Sequence, residues 1–357
     1  MGLAVCLTGV IGCQPPLPEL EAEGERVVVG VQGDIELCAG TLRAWDDHVE
    51  YVESTLGITR DPGDRIEVYV VDDTEPWCQD VMACYIGGWA DATFVPTYAP
   101  HAIWHELVHH VVSGSDVGMT DRFLSEGLAG SLGDSWCPPP GQQWPEPPLA
   151  ALLARDDIAY EHYPRAAQFV DWIRQERGND ALVELVRCVD RGDPFDETQA
   201  CVEKALGDDI DSIGGLFAEH APAPHGNPAL CRGDAIPWEG ETWHFQAPLS
   251  CDDPSVVNGF RSRHDRHTSV LIDIAQSGNY RVDMHGDGDA ALEIEPCFCQ
   301  GTDTGLLHAP GSNDFWVGEP GRYRIGFRTA DPATSQLNVS IQLIEPHTEH
   351  LIAQATG

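Results

Sequence analysis

Two histidines and two glutamates have the types and spacing of a hydrolytic metal site. Residues 105–109 read HELVH. On a helix, His105 and His109 lie one turn apart and can present two imidazoles to one metal ion. Glu106 lies about 100° round the helix, where its carboxylate can reach a water on that metal. The pattern predicts a site in which a metal activates water for hydrolysis.

The sequence predicts a helix around this motif. Ile103, Leu107 and Val111 recur every four residues and form an apolar face. Pro100 stands where a helix can begin, and Gly114 stands where it can end. The two histidines are therefore expected on one face of a single helix.

Glu126 is the candidate for a third ligand, because a catalytic zinc usually has three protein ligands and a water. It lies in residues 123–130, FLSEGLAG, which are predicted to form a second helix. A short turn containing Gly118 can fold this helix back against the first. The expected metal site thus combines two neighbouring helices.

The segments HELVH and LSEGLAG together are similar to those of the gluzincin zinc metallopeptidases, and the likeness extends over most of residues 26–219. The resemblance implies that His105, His109 and Glu126 bind one Zn²⁺. It also implies that Glu106 is the general base in the hydrolysis of a peptide or protein substrate. The G-x-M-E-N motif with which related aminopeptidases hold a free amino terminus is absent, so endopeptidase action is favoured.

Other side chains near the motif have candidate roles. The resemblance makes Tyr163 a candidate donor to the oxyanion, with Tyr160 and His162 as rivals. His101 lies one turn before His105, where it either touches substrate or faces solvent. His110 points away from the ligand face, which favours a structural role.

The chain departs from the gluzincin pattern beside the third ligand. Many gluzincins carry an acidic residue four positions after the ligand glutamate, where it orients a zinc-bound imidazole, but here that position is Gly130. Asp134 and Asp121 are the candidates to replace it. Residues 92–97 are the candidate for the edge strand that aligns a substrate backbone in these enzymes.

The order of elements predicts an α+β fold. Strands at 26–31 and 66–71 flank a helix that ends at Gly57, and helical patterns dominate from residue 100 to 219. The gluzincin-like domain is assigned to 26–220. It is preceded by a leader and spacer at 1–25, and it is followed by a linker at 221–228 and an all-β, jelly-roll-like sandwich at 229–357. The sandwich also resembles prepeptidase-type domains.

Composition limits the partners. The chain has 357 residues, with 58 acidic against 20 basic residues and a formal net charge of −38. A surface this acidic repels phosphate backbones and anionic lipid headgroups, so nucleic-acid binding and electrostatic membrane attachment are disfavoured. No apolar run approaches the roughly 18 residues that a spanning helix needs.

The amino-terminal residues predict an extracytoplasmic protein. Residues 10–13 read VIGC and resemble the lipobox of bacterial lipoproteins, which implies a lipid anchor at Cys13 as the only membrane contact. The alternative is a plain secretory leader or an unprocessed end. The expected location is a bacterial membrane surface, in the periplasm or on the cell, or the secreted fraction.

The remaining cysteines favour disulfide bonds in an oxidising compartment. Four sequence-local pairs are candidates: Cys78 with Cys84, Cys188 with Cys201, Cys231 with Cys251, and Cys297 with Cys299. A calcium site in the acidic segment 283–289 is disfavoured, because position 12 of that loop is Ile294 and not Glu.

Two other functions remain open at this stage. In the first, the chain is a catalytically inactive gluzincin-like surface lipoprotein that acts as a binding module, an alternative that Gly130 favours. In the second, it is a disulfide-rich structural protein in which HELVH occurs by chance, an alternative that the matching segment LSEGLAG disfavours.

Overall fold

A computed structural model gives the fold of the chain, which is α+β. The residues that it describes are 16–61, 63–78, 81–88, 90–97, 102–115, 117, 121–134, 147–155, 158–222, 230–258, 265–286, 289–298 and 307–346. Most of their buried apolar side chains belong to two clusters, one drawn from residues 27–217 and one from 243–341. The exact domain boundaries stay a prediction, because residues 223–228 of the proposed linker lie outside the described residues.

A five-stranded mixed sheet organises the first part of the chain. Its strands are β1 (Leu20–Glu23), β2 (Val27–Val31), β3 (Ile66–Val71), β4 (Cys84–Ile86) and β5 (Ala92–Pro96). The spatial order is β1-β2-β3-β5-β4, with β2, β3 and β5 parallel and the two outer strands antiparallel to their neighbours. Residues 20–23, expected in a polar spacer, thus form a strand with alternating half-buried and exposed side chains.

Helix α1 (Ala39–Leu56) supplies the crossover that the parallel strands β2 and β3 require. Its apolar side chains, which include Trp45, Val49, Val52 and Leu56, are buried in the same core as the sheet. Gly57 ends the helix with φ of 60°, a left-handed conformation that glycine adopts without strain.

The prediction of an edge strand at residues 92–97 is wrong. Residues 92–96 form β5, which lies between β3 and β4, and all of its residues are buried. The terminal strand is β4, where Tyr85 pairs with Thr93. An apolar run indicates a buried strand but does not give its position in the sheet. The three half-buried residues of β4 are too few to show an alternating pattern.

A group of helices covers the sheet and continues beyond it. They are α2 (Glu75–Cys78), α3 (Ala102–Ser113), α4 (Arg122–Gly133), α5 (Leu149–Leu153), α6 (Tyr163–Glu176), α7 (Asn179–Cys188), α8 (Phe195–Leu206) and α9 (Ile210–His220), with a 3₁₀ turn at Tyr160–His162. α3 packs on β5 and α1, and α4 packs between α3 and α6. The predicted helix around HELVH is therefore confirmed as α3.

The last part of the chain forms two antiparallel sheets with a shared core. The strands are β6 (Thr242–Pro248), β7 (Val257–Asn258), β8 (Arg266–Ile274), β9 (Gly278–Gly286), β10 (Ala290–Pro296), β11 (Leu307–Ala309), β12 (Gly311–Val317), β13 (Gly321–Thr329) and β14 (Gln336–Pro346). One sheet has the order β11-β10-β13-β8-β7 and the other β12-β9-β14-β6. Trp243, Tyr323 and Phe327 are fully buried in the core that both sheets supply.

The sandwich is joined to the amino-terminal end of α1 by buried polar contacts. The side-chain oxygen of Asn258 accepts hydrogen bonds from the Cys38 backbone N–H at 2.9 Å and from the Thr41 hydroxyl at 2.8 Å. The Asn258 amide donates to the Glu36 carbonyl at 2.8 Å. The groups are more than 200 positions apart in sequence, so only the fold brings them together.

The described residues contain four disulfide bonds: Cys38–Cys251, Cys78–Cys84, Cys188–Cys201 and Cys231–Cys297. Two of the sequence-local pairs are confirmed. Cys251 bonds instead with Cys38, and Cys297 with Cys231, because strand packing brings together cysteines that are distant in the chain. Four disulfide bonds are compatible with an extracytoplasmic location.

Among the described helices, none is both long and apolar enough to span a membrane. Cys13, the predicted lipid attachment site, lies outside the described residues.

Candidate metal centre

Helix α3 positions the two histidines and Glu106. Its buried apolar face, which includes Ile103 and Leu107, fixes the helix against the core. The side chains of His105 and His109 lie at the edge of this face and are only 12% and 15% exposed. The two rings lie with their centroids 4.7 Å apart at an interplanar angle of 75°.

Helix α4 positions Glu126, and two glycines let it approach its neighbours closely. A Cβ atom at Gly133 would lie 2.5 Å from the backbone oxygen of Trp104, in α3. A Cβ atom at Gly127 would lie 2.7 Å from the backbone oxygen of Ala166, in α6. Neither site tolerates a side chain without movement of the backbone. The glycine after Glu126 is therefore required by helix packing.

The three predicted ligands meet at one point. The distance from His105 Nε2 to His109 Nε2 is 3.0 Å, and that from His105 Nε2 to Glu126 Oε2 is 3.1 Å. His109 Nε2 lies 3.5 Å from Glu126 Oε2. Tetrahedral coordination with bonds of 2.0–2.1 Å separates ligand atoms by about 3.3 Å. The three atoms thus have the spacing of one face of a coordination tetrahedron, and they form a group that could hold a metal ion. We call it the metal-binding group.

Hydrogen bonds on the far sides of the imidazoles direct both lone pairs toward that point. His105 Nδ1 lies 2.6 Å from Asp134 Oδ2, and a carboxylate accepts the Nδ1 proton. His109 Nδ1 lies 3.1 Å from the Ser125 hydroxyl oxygen, which can accept in the same way. With the Nδ1 atoms directed at Asp134 and Ser125, both Nε2 atoms face the Glu126 carboxylate. A cation resolves this arrangement.

The charges at the site favour the ligand form of Glu126. Burial acts to raise the pKa of this carboxyl, but hydrogen bonds from the two imidazoles hold it far below its ordinary value. The carboxylate also lies 3.1 Å from Arg122 Nε, one helical turn earlier. Burial raises the pKa of the Glu106 carboxyl, although the charges of His105 and His109 act in the opposite direction. The two glutamates therefore differ in proton affinity.

Tyr163 lies beside the same ligands, at the start of α6. Its ring is parallel to the His105 ring within 5°, with centroids 6.3 Å apart. Its hydroxyl lies 3.5 Å from the Arg122 guanidinium and also contacts Glu126. Burial raises the pKa of Tyr163 to about 12, so the phenol keeps its proton at neutral pH.

The metal-binding group opens into a cleft of about 450 Å³. Glu106, Tyr163 and Tyr160 line this cleft together with the three ligands, and the cleft is bordered by Cys84 and Tyr85 of β4. Of the two rivals to Tyr163, Tyr160 therefore lies at the site, whereas His162 is buried and does not line the cleft.

The other predicted side chains near the motif have separate locations. His110 is buried, and its Nδ1 lies 3.1 Å from the Thr93 hydroxyl, as expected for a structural residue. His101 lies outside the described residues. Of the two candidates to hold a ligand imidazole, Asp134 contacts His105, while Asp121 caps α4 by accepting a hydrogen bond from the Leu124 N–H.

The contacts of two residues at the site were not foreseen from the sequence. Ser125 supports His109, and Arg122 contacts both Glu126 and Tyr163. The spacing of Arg122 and Glu126, four residues apart on a helix, is a signal that predicts such an ion pair. No sequence spacing links Ser125 with His109, because the contact depends on how α4 packs against α3.

The comparisons with known proteins show no family. No protein-family model matches the chain, and no curated protein matches it.

Some solved structures are weakly similar to this chain. Cobalt(II) HppE in complex with Tris buffer is 15% identical, with a TM-score of 0.13, and the match covers 50% of this chain and 96% of that one. Iron(II) HppE in complex with substrate is 11% identical, with a TM-score of 0.13, over 50% of this chain and 97% of that one. Streptomyces albus HEPD with 2-hydroxyethylphosphonate and Fe(II) bound is 11% identical, with a TM-score of 0.11, over 51% and 42%. Scores this low carry no argument about fold or chemistry.

Replacing Asp134 by Ala should weaken metal binding without unfolding the protein. The change removes the acceptor that orients His105, and the loss of such a partner typically lowers metal affinity about 10–100-fold. Competition with a chromophoric chelator measures the affinity for zinc. Asp314→Ala, an exposed position on β12, is the matched control. Equal zinc affinities in the two variants would contradict the role of Asp134.

The stability contributed by the α4 cap should depend on pH. Asp121 Oδ2 is buried with no hydrogen-bond partner among the described residues, and burial raises the pKa of this carboxyl from 3.8 to about 6. The Asp121 carboxyl then binds a proton more tightly in the folded protein than in the unfolded chain. Its contribution to the free energy of unfolding therefore falls as the pH rises from about 4 to about 6, and above about pH 6 it no longer changes. Asp121→Asn keeps an oxygen for the Leu124 N–H and should remove this dependence.

Urea unfolding of metal-free protein between about pH 4 and pH 7 tests this prediction. Asp209 caps α9 through the same type of bond, but it is exposed and its pKa is lowered by its bonds to Ser212. Asp209→Asn should therefore destabilise the protein at pH 7, while Asp121→Asn should not. A comparable loss of stability in both variants at pH 7 would rule out the effect of burial on Asp121.

Proposed function

We propose that this chain is a zinc-dependent endopeptidase of the gluzincin type. The observation that carries the proposal is the convergence of His105, His109 and Glu126 with ligand-atom distances of 3.0–3.5 Å, beside Glu106 and in an open cleft. Two imidazoles and one carboxylate are a frequent ligand set of catalytic zinc. Bound zinc would supply Lewis acidity, which polarises a carbonyl and lowers the pKa of water to about 7.

Glu106 is the proposed general base. It lies next to His105 on α3 and lines the cleft, so its carboxylate can take a proton from the attacking water. The same carboxyl can then return the proton to the leaving amine. Its raised pKa, caused by burial, brings its proton affinity closer to neutral pH, where proton transfer in both directions is efficient.

Strand β4 is the proposed support for the substrate backbone. It is one of the two terminal strands of the sheet, and in the described part of the chain no strand pairs with its outer edge. An extended peptide can pair with that edge through main-chain hydrogen bonds, which hold many sequences in the same way. Because Cys84 and Tyr85 also border the cleft, a peptide on β4 passes the metal-binding group.

The contact between Asp134 and His105 weakens the case for an inactive binding module. That alternative was favoured by Gly130, which leaves the usual position of the second carboxylate without an acid. Asp134 supplies a carboxylate to the same imidazole from the end of α4. The predicted lipid anchor and bacterial surface location remain part of the proposal.

Glu106→Gln should keep the metal and lose the activity. A general base typically contributes about 10²–10⁴-fold to the rate, and the glutamine amide cannot accept a proton. Zinc content per chain and the digestion rate of unfolded casein are measured side by side. Glu126→Ala should lose both zinc and activity, whereas Glu161→Gln, an exposed position, should lose neither. A Glu106→Gln variant with wild-type activity would exclude the base role.

Tyr163→Phe should lower kcat more than it changes KM. Loss of one donor to a developing oxyanion costs about 10²-fold in kcat, while the phenyl ring retains its packing against His105. Tyr160→Phe is the control, because its ring lies 5.3 Å from that of Tyr163 and is far more exposed. If the loss occurs in Tyr160→Phe instead, the oxyanion donor is Tyr160.

A further inference from the structure

Exposed apolar side chains are concentrated at the metal cleft. In the described part of the chain, six large apolar residues are exposed: Leu17, Val81, Met82, Tyr160, Trp316 and Ile344. Val81, Met82 and Tyr160 all line the cleft that holds the three metal ligands, and they are the three with the greatest exposure, at 53%, 50% and 72%. Apolar surface gathered in a cleft marks a binding site more strongly than single exposed residues do.

The chain holds Val81 and Met82 outward by fixed contacts. The Cys78–Cys84 disulfide bond brackets the segment, and the buried Thr74 hydroxyl donates to the Met82 backbone oxygen at 2.7 Å. The next residue, Ala83, is buried in the core. The exposure of Val81 and Met82 is therefore built into the local fold.

This segment continues directly into β4. Residues 81–83 precede the terminal strand, so a peptide paired with β4 extends past the side chains of Val81 and Met82. Tyr160 lines the same cleft from the 3₁₀ turn before α6. We name Val81, Met82 and Tyr160 the apolar rim.

We propose that the apolar rim selects peptide segments that carry a bulky apolar side chain in the cleft. The inference rests on the proposed function and adds a substrate class to it. An acidic side chain would meet the carboxylates of Glu106, Glu126 and Asp134, which line the same cleft. Leu, Met or Phe side chains instead gain contact area with the rim when they leave water.

Peptides that differ at one central position test the proposal. A quenched fluorescent series with Leu, Phe, Ala, Asp or Lys at that position is assayed with the zinc-loaded protein. We expect kcat/KM for the Leu and Phe peptides to exceed that for the Ala peptide by at least about tenfold, with the Asp peptide slowest. In a Val81→Ser, Met82→Ser double variant, the ratio of Leu to Ala should fall below about threefold.

Trp316→Ser and Ile344→Ser are matched controls, because both residues are exposed apolar side chains of the sandwich. Their ratio of Leu to Ala should equal that of the wild type. A wild-type enzyme that cleaves all five peptides equally would overturn the role of the rim and leave the proposed function standing. Preference for the Asp peptide would also overturn it, and would assign selectivity to the cleft arginines, Arg122 and Arg191.

A binding measurement separates failure of the rim from failure of the enzyme. Fluorescence anisotropy gives the affinity of zinc-loaded Glu106→Gln for labelled Leu and Asp peptides. Suppose that the wild type cleaves no peptide, but that Glu106→Gln binds the Leu peptide more tightly than the Asp peptide. If adding Val81→Ser and Met82→Ser abolishes this difference, the role of the apolar rim is supported and only the proposal of an enzyme fails. Equal binding of both peptides would overturn the rim whatever the activity.

Discussion

The site depends on two imidazole nitrogens and one carboxylate oxygen that converge on one point. Asp134 and Ser125 can accept the Nδ1 protons of the two imidazoles, so both Nε2 atoms face the Glu126 carboxylate. Bringing such groups together in a nearly buried position is unfavourable unless a cation binds them. A metal ion that binds only the folded chain would therefore stabilise it. The precision required, a few tenths of an ångström, must come from the packing of α3 against α4.

That packing depends on small residues at the helix contacts. Gly133 lets α4 approach the backbone of α3, and Gly127 lets it approach α6. Side chains at these positions would move α4 outward and draw Glu126 away from the histidines. The carboxyl-terminal end of α4 also carries Asp134, which contacts His105. The helix thus supplies Glu126 and also the support of His105. A single helix displacement would thus disturb two of the contacts that define the site.

The sequence predicted local features well and long-range ones poorly. The apolar spacing of α3 and the HELVH and LSEGLAG segments located His105, His109 and Glu126, which the structure brings together. The edge strand was misplaced, because an apolar run such as β5 reports burial and not sheet order. Two disulfide bonds were mispaired for a related reason. Cys38 and Cys251 meet through the packing of α1 on the sandwich, and no spacing along the chain encodes that contact.

The packing of α1 also connects the sandwich with the metal centre. Near its amino terminus, Gly40 lies so close to the sandwich that a Cβ atom would be 2.6 Å from the Val256 backbone oxygen. About one turn beyond the middle of α1, Tyr51 is covered by the Arg232 guanidinium, 3.4 Å from the ring centroid. Between these points, His48 Nε2 lies 2.9 Å from the backbone oxygen of Trp104. Burial lowers the pKa of His48 to about 3, so the neutral ring donates this hydrogen bond to the residue next to His105. The sandwich therefore supports α3, the helix that carries His105 and His109, through α1, which is part of neither the sandwich nor the metal-binding group.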